Sequence, residues 1–295
     1  MLGIVETFGS REEWAANRAT YIGGSDAAGI MGACPYTSAI EVYARKLGLL
    51  EPVQASEAML WGQKLEPVIA TEVADRLGRP VELWDQSAII RHPERNWQGC
   101  TPDALLDDGE QIVQIKTTSN RDAADEVPLN YQVQVQHELC VTGASRAYLA
   151  ILIGGQRLVI HEVEPNERFQ QFMVQREQLF WENLLNHQPP PVDASESARR
   201  AIGTMFKWTP EAMPMGYEQG ISAMELDQQL TQIKDTLSDL ETKKRYLENQ
   251  LLQLMGGAEL VELPNGVKLS YKQQTRKSYV VEESTFRVFR RSQPK

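Results

Sequence analysis

No stretch of this 295-residue chain approaches the roughly 20 apolar residues needed to span a bilayer. Its start, MLGIVETFGSREEW, has neither a basic leader region nor a sustained apolar run. The expectation is therefore a cytosolic protein without membrane contact. Cysteine is scarce. Cys34, Cys100 and Cys140 are an odd number, widely spaced, and lack the paired spacing of a zinc site or a disulfide framework; they read as buried free thiols. Positive charge is in deficit too. A net charge of -10 excludes nonspecific nucleic-acid binding by the whole surface, because a polyanion is attracted by accumulated Lys and Arg. Any such contact must be local, and one segment is locally basic: residues 268–295 carry eight Lys or Arg against Glu282 and Glu283, a net of +6. Taken alone, that tail reads as a solvated strand face.

With 42% hydrophobic residues, the chain can bury a full core as one large domain or two smaller ones. Arg11 to Arg18 reads as a short helix leading into a Gly-Gly-Ser-Asp turn, with Ser25 or Asp26 capping a helix over Ala27 to Met31. A helix over Ala39 to Leu47 stops at Gly48. Leu60, Leu65, Val68, Ile69, Val73 and Leu77 then follow a helical period closed by Gly78. Short strands follow in VELWDQSAIIRH, WQGCTPDALL and QIVQIKTT, separated by Gly, Asp and Pro turns. In LNYQVQVQHELCVTG, Val133 and Val135 alternate as in a strand, but Tyr131, Val135 and Leu139 keep helical spacing and Gly143 suits a C-cap; a helix is expected. A hairpin about Gly154-Gly155 and an amphipathic helix over Glu167 to Asn186 complete this part.

The proline run in HQPPPVD suggests a boundary between a domain of residues 1–190 and an extension of 191–295. Leu226, Leu230, Ile233, Leu237, Leu240, Leu247, Leu251 and Leu254 step by four and three, with Lys244 at the one missing seam position. This heptad pattern predicts a long helix over 222–255 that pairs with another helix, from the same chain or a partner. A basic β-hairpin and tail over 258–295 follow, with Asn265-Gly266 at the turn.

The residues that can carry chemistry are Glu66 on the 60–77 helix, Asp103 in TPDALL, and Gln114 and Lys116 in QIVQIK. Strand side chains alternate faces, so Gln114 and Lys116 point one way and Ile115 the other, into the core. If the two strands pair, Asp103 lies beside them. Phosphodiester hydrolysis needs such a set: hard oxygen ligands for Mg²⁺ and a cation near the attacking water or the developing charge. An Asp, a turn and a strand ending in x-Lys also arise by chance in many hairpins. The order of all the parts argues against chance here.

The succession RATYIGGSD, WGQKLEP, TPDALL, VQIKTT and YQVQVQHELCVTG resembles the YqaJ-like phage recombinase exonucleases, relatives of lambda exonuclease in the PD-(D/E)XK nuclease superfamily. It runs from about Arg18 to Gly143 and leaves the C-terminal third uncovered. The resemblance implies an α/β restriction-endonuclease-like core, with a mixed central sheet flanked by helices. It implies that Glu66, Asp103, Gln114 and the Ile115 carbonyl surround Mg²⁺ or Mn²⁺, that Lys116 is the superfamily lysine, and that Tyr131, Gln134 and Gln136 lie close to the active centre. It further implies that Arg18 and Ser25 hold a 5'-phosphate, although helix capping accounts for Ser25 almost as well. The function implied is 5'→3' degradation of one strand of linear double-stranded DNA, leaving 3' tails for a single-strand annealing partner. The setting would be bacterial or phage-infected host cytoplasm, and the family's trimeric rings imply a homo-oligomer.

Gln114 departs from the pattern, which has a glutamate there. An amide offers one oxygen but removes a full negative charge beside the metal, so affinity and water activation should both fall. Natural tolerance, natural loss of catalysis, or a deliberate change that traps uncut DNA would each account for it. The intact remainder of the site favours the last, and Gln114→Glu is then expected to raise activity by orders of magnitude. An endonuclease of the same fold and a DNA-end-binding protein without catalysis are the competing readings.

Overall fold

The computed structural model describes residues 3–51, 54–85, 87–206 and 215–275, in two units spanning Met1–Lys207 and Trp208–Lys295. The first unit opens with β1 (Ile4–Thr7), α1 (Arg11–Asn17), α2 (Gly24–Ile30), α3 (Ala39–Lys46) and α4 (Glu57–Leu77). Then come β2 (Val81–Leu83), β3 (Ala88–Arg91), β4 (Gly99–Cys100), β5 (Ala104–Leu106) and β6 (Gln111–Thr118). The unit closes with α5 (Leu129–Thr142), β7 (Arg146–Ile153), β8 (Arg157–Val163), α6 (Glu167–Leu185) and α7 (Glu196–Met205).

The central sheet has the order β2-β5-β6-β7-β8. Only the β6–β7 pair is parallel, with α5 as its crossover; the rest are antiparallel. This is the mixed sheet with flanking helices expected from the sequence. A second sheet, β1-β3-β4, stands apart from it. Val113, Ile115, Ala104 and Ala150 pack with Ile69, Ala70 and Val73 of α4 on one face of the central sheet. Ile112, Leu149 and Ile151 pack with Val135 and Leu139 of α5 on the other. The period-2 alternation of β6 therefore commits Gln114 and Lys116 to the α5 face.

Helix ends follow local chemistry. Ser38 and Ser56 accept the N–H groups of Glu41 and Met59, and Gly78 and Gly143 close α4 and α5 at φ 64° and 67°, where a Cβ would be strained. Three expectations need correction. Neither Ser25 nor Asp26 is the N-cap of α2: Gly23 is, and Asp26, one turn in, accepts the Gly23 N–H at 3.1 Å. Leu60 and Val68 are exposed rather than core, because only one side of α4 meets the sheet. All three cysteines are free, but only Cys100 is buried; Cys34 and Cys140 are half-buried.

The first unit also runs past the proline stretch where the sequence suggested a boundary. Beyond it, α7 packs Ala198 and Ala201 against Ile40 of α3, and Ser197 Oγ lies 3.0 Å from Ser38 Oγ. Behind α5, the fully buried His137 places Nδ1 2.8 Å from Glu177 and Nε2 3.0 Å from the Gly99 carbonyl. Both ring nitrogens face acceptors, an arrangement that favours the imidazolium. Burial opposes that charge, but Glu177 and the Gly99 carbonyl outweigh it and raise the pKa. The ring ties α5 to β4 and α6.

The second unit contains α8 (Tyr217–Met255), ended by Gly256, and the hairpin β9 (Leu260–Glu262) and β10 (Lys268–Ser270) with Asn265-Gly266 between them. No residue of α8 is buried, and Leu226, Ile233, Leu237, Leu240, Leu247, Leu251 and Leu254 are all exposed. The basic tail from Arg276 onward lies outside the described residues. Among those described, no helix is long and apolar enough to cross a membrane.

Candidate active site

β5 begins at Ala104, opposite Val113 of β6, so beyond that pair the edge of β6 has no partner strand on this side. Asp103, the residue just before β5, fills the gap with its side chain. Its Oδ2 accepts the Ile115 N–H and the Gln114 Nε2, each at 2.6 Å. In a ladder the N–H and C=O of one residue leave the same edge, so the Ile115 carbonyl emerges beside Asp103. Burial pushes the Asp103 carboxyl above its ordinary value, while the Lys116 charge and the Ile115 N–H pull it down.

Lys116 shares the strand face of Gln114, and its Nζ lies 5.8 Å from the centre of the Tyr131 ring on α5. Gln134, one turn further along α5, donates to Glu138 Oε1 at 2.9 Å. Glu138 is 1% exposed. Burial raises its pKa to about 8, against the Gln134 bond and the Lys116 charge, with Asp103 adding to the rise. Glu138 therefore feels both Lys116 and Asp103 and belongs to their site. Sequence reasoning missed it. The only signal was its i,i+4 spacing from Gln134, and a Glu in a helical pattern reads first as a solvated face.

α2 closes the site from a third side. A Cβ built on Gly24 would lie 2.8 Å from Gln134 Cγ and 2.9 Å from Glu138 Oε1, so only glycine lets the two helices approach this closely. One turn of chain away, Arg18 Nη2 lies 3.4 Å from Ser25 Oγ. Lys46 Nζ is buried among the Arg18 carbonyl at 2.6 Å, the Tyr21 carbonyl and Asp26 Oδ2 at 2.6 Å, which fixes the turn that carries this pair.

The structure thus brings Asp103, Gln114, Ile115, Lys116, Tyr131 and Gln134 together and pairs Arg18 with Ser25. Two expected members stand differently. Glu66 is half-buried on α4, on the opposite sheet face from α5. A turn earlier, Gly62 runs past the end of β6, where an added Cβ would lie 3.5 Å from Thr117 Oγ1. Gln136 is a clamp: it donates to the Glu164 carbonyl at 2.8 Å and accepts the Asn166 N–H at 2.9 Å, joining α5 to the β8–α6 turn.

No group of three or more His, Cys, Asp or Glu among the described residues is placed to hold a metal ion. A metal bound here would have to draw on other oxygens, and two stand without partners. Gln114 Oε1 and Glu138 Oε2 are buried without a hydrogen-bond partner, although buried polar atoms are ordinarily satisfied. Together with Asp103 and the Ile115 carbonyl they are the hard oxygen donors that Mg²⁺ or Mn²⁺ prefers.

Comparison with known proteins places the chain in a family and a fold. Residues 13–145 match the YqaJ-like viral recombinase domain. The uncharacterized protein YqaJ of Bacillus subtilis (strain 168) is 33% identical over 258 residues, 85% of this chain and 80% of that protein. Two crystal structures of LHK-Exo, the alkaline exonuclease of Laribacter hongkongensis, one in complex with dAMP, share the fold at TM-score 0.50 and 20–21% identity. Each match covers 60% of this chain and 94% of that chain. The chain belongs to the YqaJ-like viral recombinase family.

Proposed function

We propose that this protein is a divalent-metal-dependent 5'→3' exonuclease that acts on the ends of linear double-stranded DNA and leaves 3' single-stranded tails. The observation that carries this reading is the Asp103 carboxylate at the open edge of β6, bonded to Ile115 and Gln114 and facing the Lys116 charge. Family membership and the exonuclease of like fold support it.

Asp103, the Gln114 amide oxygen and the Ile115 carbonyl would hold Mg²⁺ or Mn²⁺, with Glu66 at the rim of the site. Bound there, the metal would polarise the phosphate and lower the pKa of a water. The chain itself supplies the rest. Lys116 is a compact charge for the attacking water or the phosphate oxygens. Tyr131 packs against the Lys116 ammonium, and Gln134 orients Glu138. Arg18 and Ser25 face outward at the α2 turn as hydrogen-bond donors for a terminal 5'-phosphate.

A homo-oligomer completes the proposal, with the exposed seam of α8 meeting a second copy of this chain and a strand-annealing protein taking the 3' tail. A ring would convert assembly into processivity. Linear and covalently closed circular duplex, compared in Mg²⁺, test the reading. Degradation confined to the linear form is expected, and cutting of closed circles would make the protein an endonuclease.

A further inference from the structure

The amide at position 114 leaves the proposed metal site one negative charge short of a glutamate there, and the buried Glu138 on α5 carries a carboxyl outside the Asp103, Gln114 and Ile115 set. We propose that Glu138 is a metal ligand of this site, supplying from α5 the negative charge that position 114 lacks. This inference rests on the nuclease reading and deepens it.

Four observations carry it. Glu138 is 1% exposed, and a carboxyl so buried ionises at heavy cost unless a cation pairs with it. Its Oε1 is fixed by Gln134 at 2.9 Å, which leaves Oε2 as the atom without a partner. A second orphaned buried oxygen is Gln114 Oε1, on the strand face that looks toward α5. Lastly, α5 sets Tyr131 over Lys116 on this face, and Glu138 follows two turns further along the same side of α5, next to Gln134.

A purely structural glutamate would explain the Gln134 bond, but not a buried Oε2 left without a partner. With a cation between Glu138 Oε2 and Gln114 Oε1, both gain a partner at once. The site then has Asp103 and Glu138 as its charged ligands, with the Gln114 amide and the Ile115 carbonyl as neutral ones. The amide at 114 is on this account a relocation of charge rather than a defect. Gln114→Glu should then change activity by less than about tenfold, in place of the orders of magnitude expected from the sequence.

The test is Mn²⁺ binding by titration calorimetry on the full chain, in four forms: wild type, Glu138→Gln, Gln114→Glu and the double exchange Gln114→Glu/Glu138→Gln. Metal-free melting curves and cleavage of linear duplex are recorded alongside. Glu138→Gln should bind Mn²⁺ at least tenfold more weakly while melting as a folded protein. The double exchange should recover most of that loss, because the charge is returned from the other wall; a merely structural role for Glu138 would not be rescued from position 114. Equal Mn²⁺ affinity in wild type and Glu138→Gln overturns the inference. If both forms still degrade DNA, the nuclease reading stands without it. Failure of the double exchange to recover affinity, with the fold retained, also overturns it. A wild type that neither binds Mn²⁺ nor cuts linear DNA overturns both.

Discussion

Gln114 Nε2 donates to Asp103 Oδ2 at 2.6 Å, to the same oxygen that takes the Ile115 N–H. A glutamate at 114 would repel Asp103 in the absence of metal, whereas the amide pairs with it. Asp103→Asn keeps an acceptor for Ile115 but removes the charge. Cleavage should fall by about 10²–10³-fold, the order of several kcal/mol of lost transition-state stabilisation. The metal-free melting temperature should be unchanged or higher, since a partly buried charge is gone. Parallel kinetics and thermal melts check both halves.

Lys116 sits over Tyr131 as a point charge. Lys116→Met should cut turnover by about 10²-fold or more with the fold intact, and Lys116→Arg should recover little, because a planar fork does not replace a compact ammonium. Single-turnover rates at saturating enzyme separate this loss from weakened DNA binding.

Arg18 and Ser25 face each other across 3.4 Å at the α2 turn. Arg18→Ala should abolish any preference for 5'-phosphorylated over 5'-hydroxyl ends, and Ser25→Ala should weaken it less. Rates on the two end types, measured for the three proteins, decide it.

The Asp26–Lys46 pair makes an acid-stability prediction. Burial alone would raise the Asp26 pKa, but Lys46, Arg18 and the Gly23 N–H hold it at about 2, below the ordinary 3.8. Burial meanwhile lowers the Lys46 pKa, so the ammonium gives up part of what the carboxylate gains. The geometry of three acceptors around Nζ keeps the pair charged at neutral pH. A depressed carboxyl pKa contributes stability that is present above pH 3.8 and lost as pH falls through about 2. Urea unfolding between pH 4 and pH 2 should show that loss in the wild type and a shallower one in Asp26→Asn. At pH 7, Lys46→Met should cost about 3–5 kcal/mol, because it strands a buried charge.

The apolar seam of α8 is open along a helix of 39 residues, about 58 Å at 1.5 Å per residue. If it joins copies of this chain, Leu237→Glu with Leu247→Glu should lower the solution mass to that of the monomer and leave the secondary structure of the first unit unchanged. Light scattering and circular dichroism report the two effects.

The strand period made Gln114, Ile115 and Lys116 legible in the sequence, and Gly48, Gly78 and Gly143 marked the C-terminal ends of α3, α4 and α5. The ambiguity in α5 has a physical cause. Val133 enters the cluster of Ile22 and Val42 while Val135 enters that of Ile112 and Leu149, so the helix is buried on two sides and shows no single apolar stripe. α7 escaped notice because its contact is made by Ser197, Ala198 and Ala201, small residues with little apolar signal. Glu138 and Gln136 were out of reach for another reason. What each does is decided by a distant segment, the close approach of Gly24 in one case and the Glu164–Asn166 turn in the other.

The most direct test is release of mononucleotides from linear duplex labelled at one 5' end, with Mg²⁺ and with chelator, for wild type and Asp103→Asn. The wild type should release the 5' label as mononucleotide only when Mg²⁺ is present, and Asp103→Asn should release almost none. Release that is indifferent to the metal or to Asp103, or no release by a wild type that is folded and loaded with metal, would contradict it.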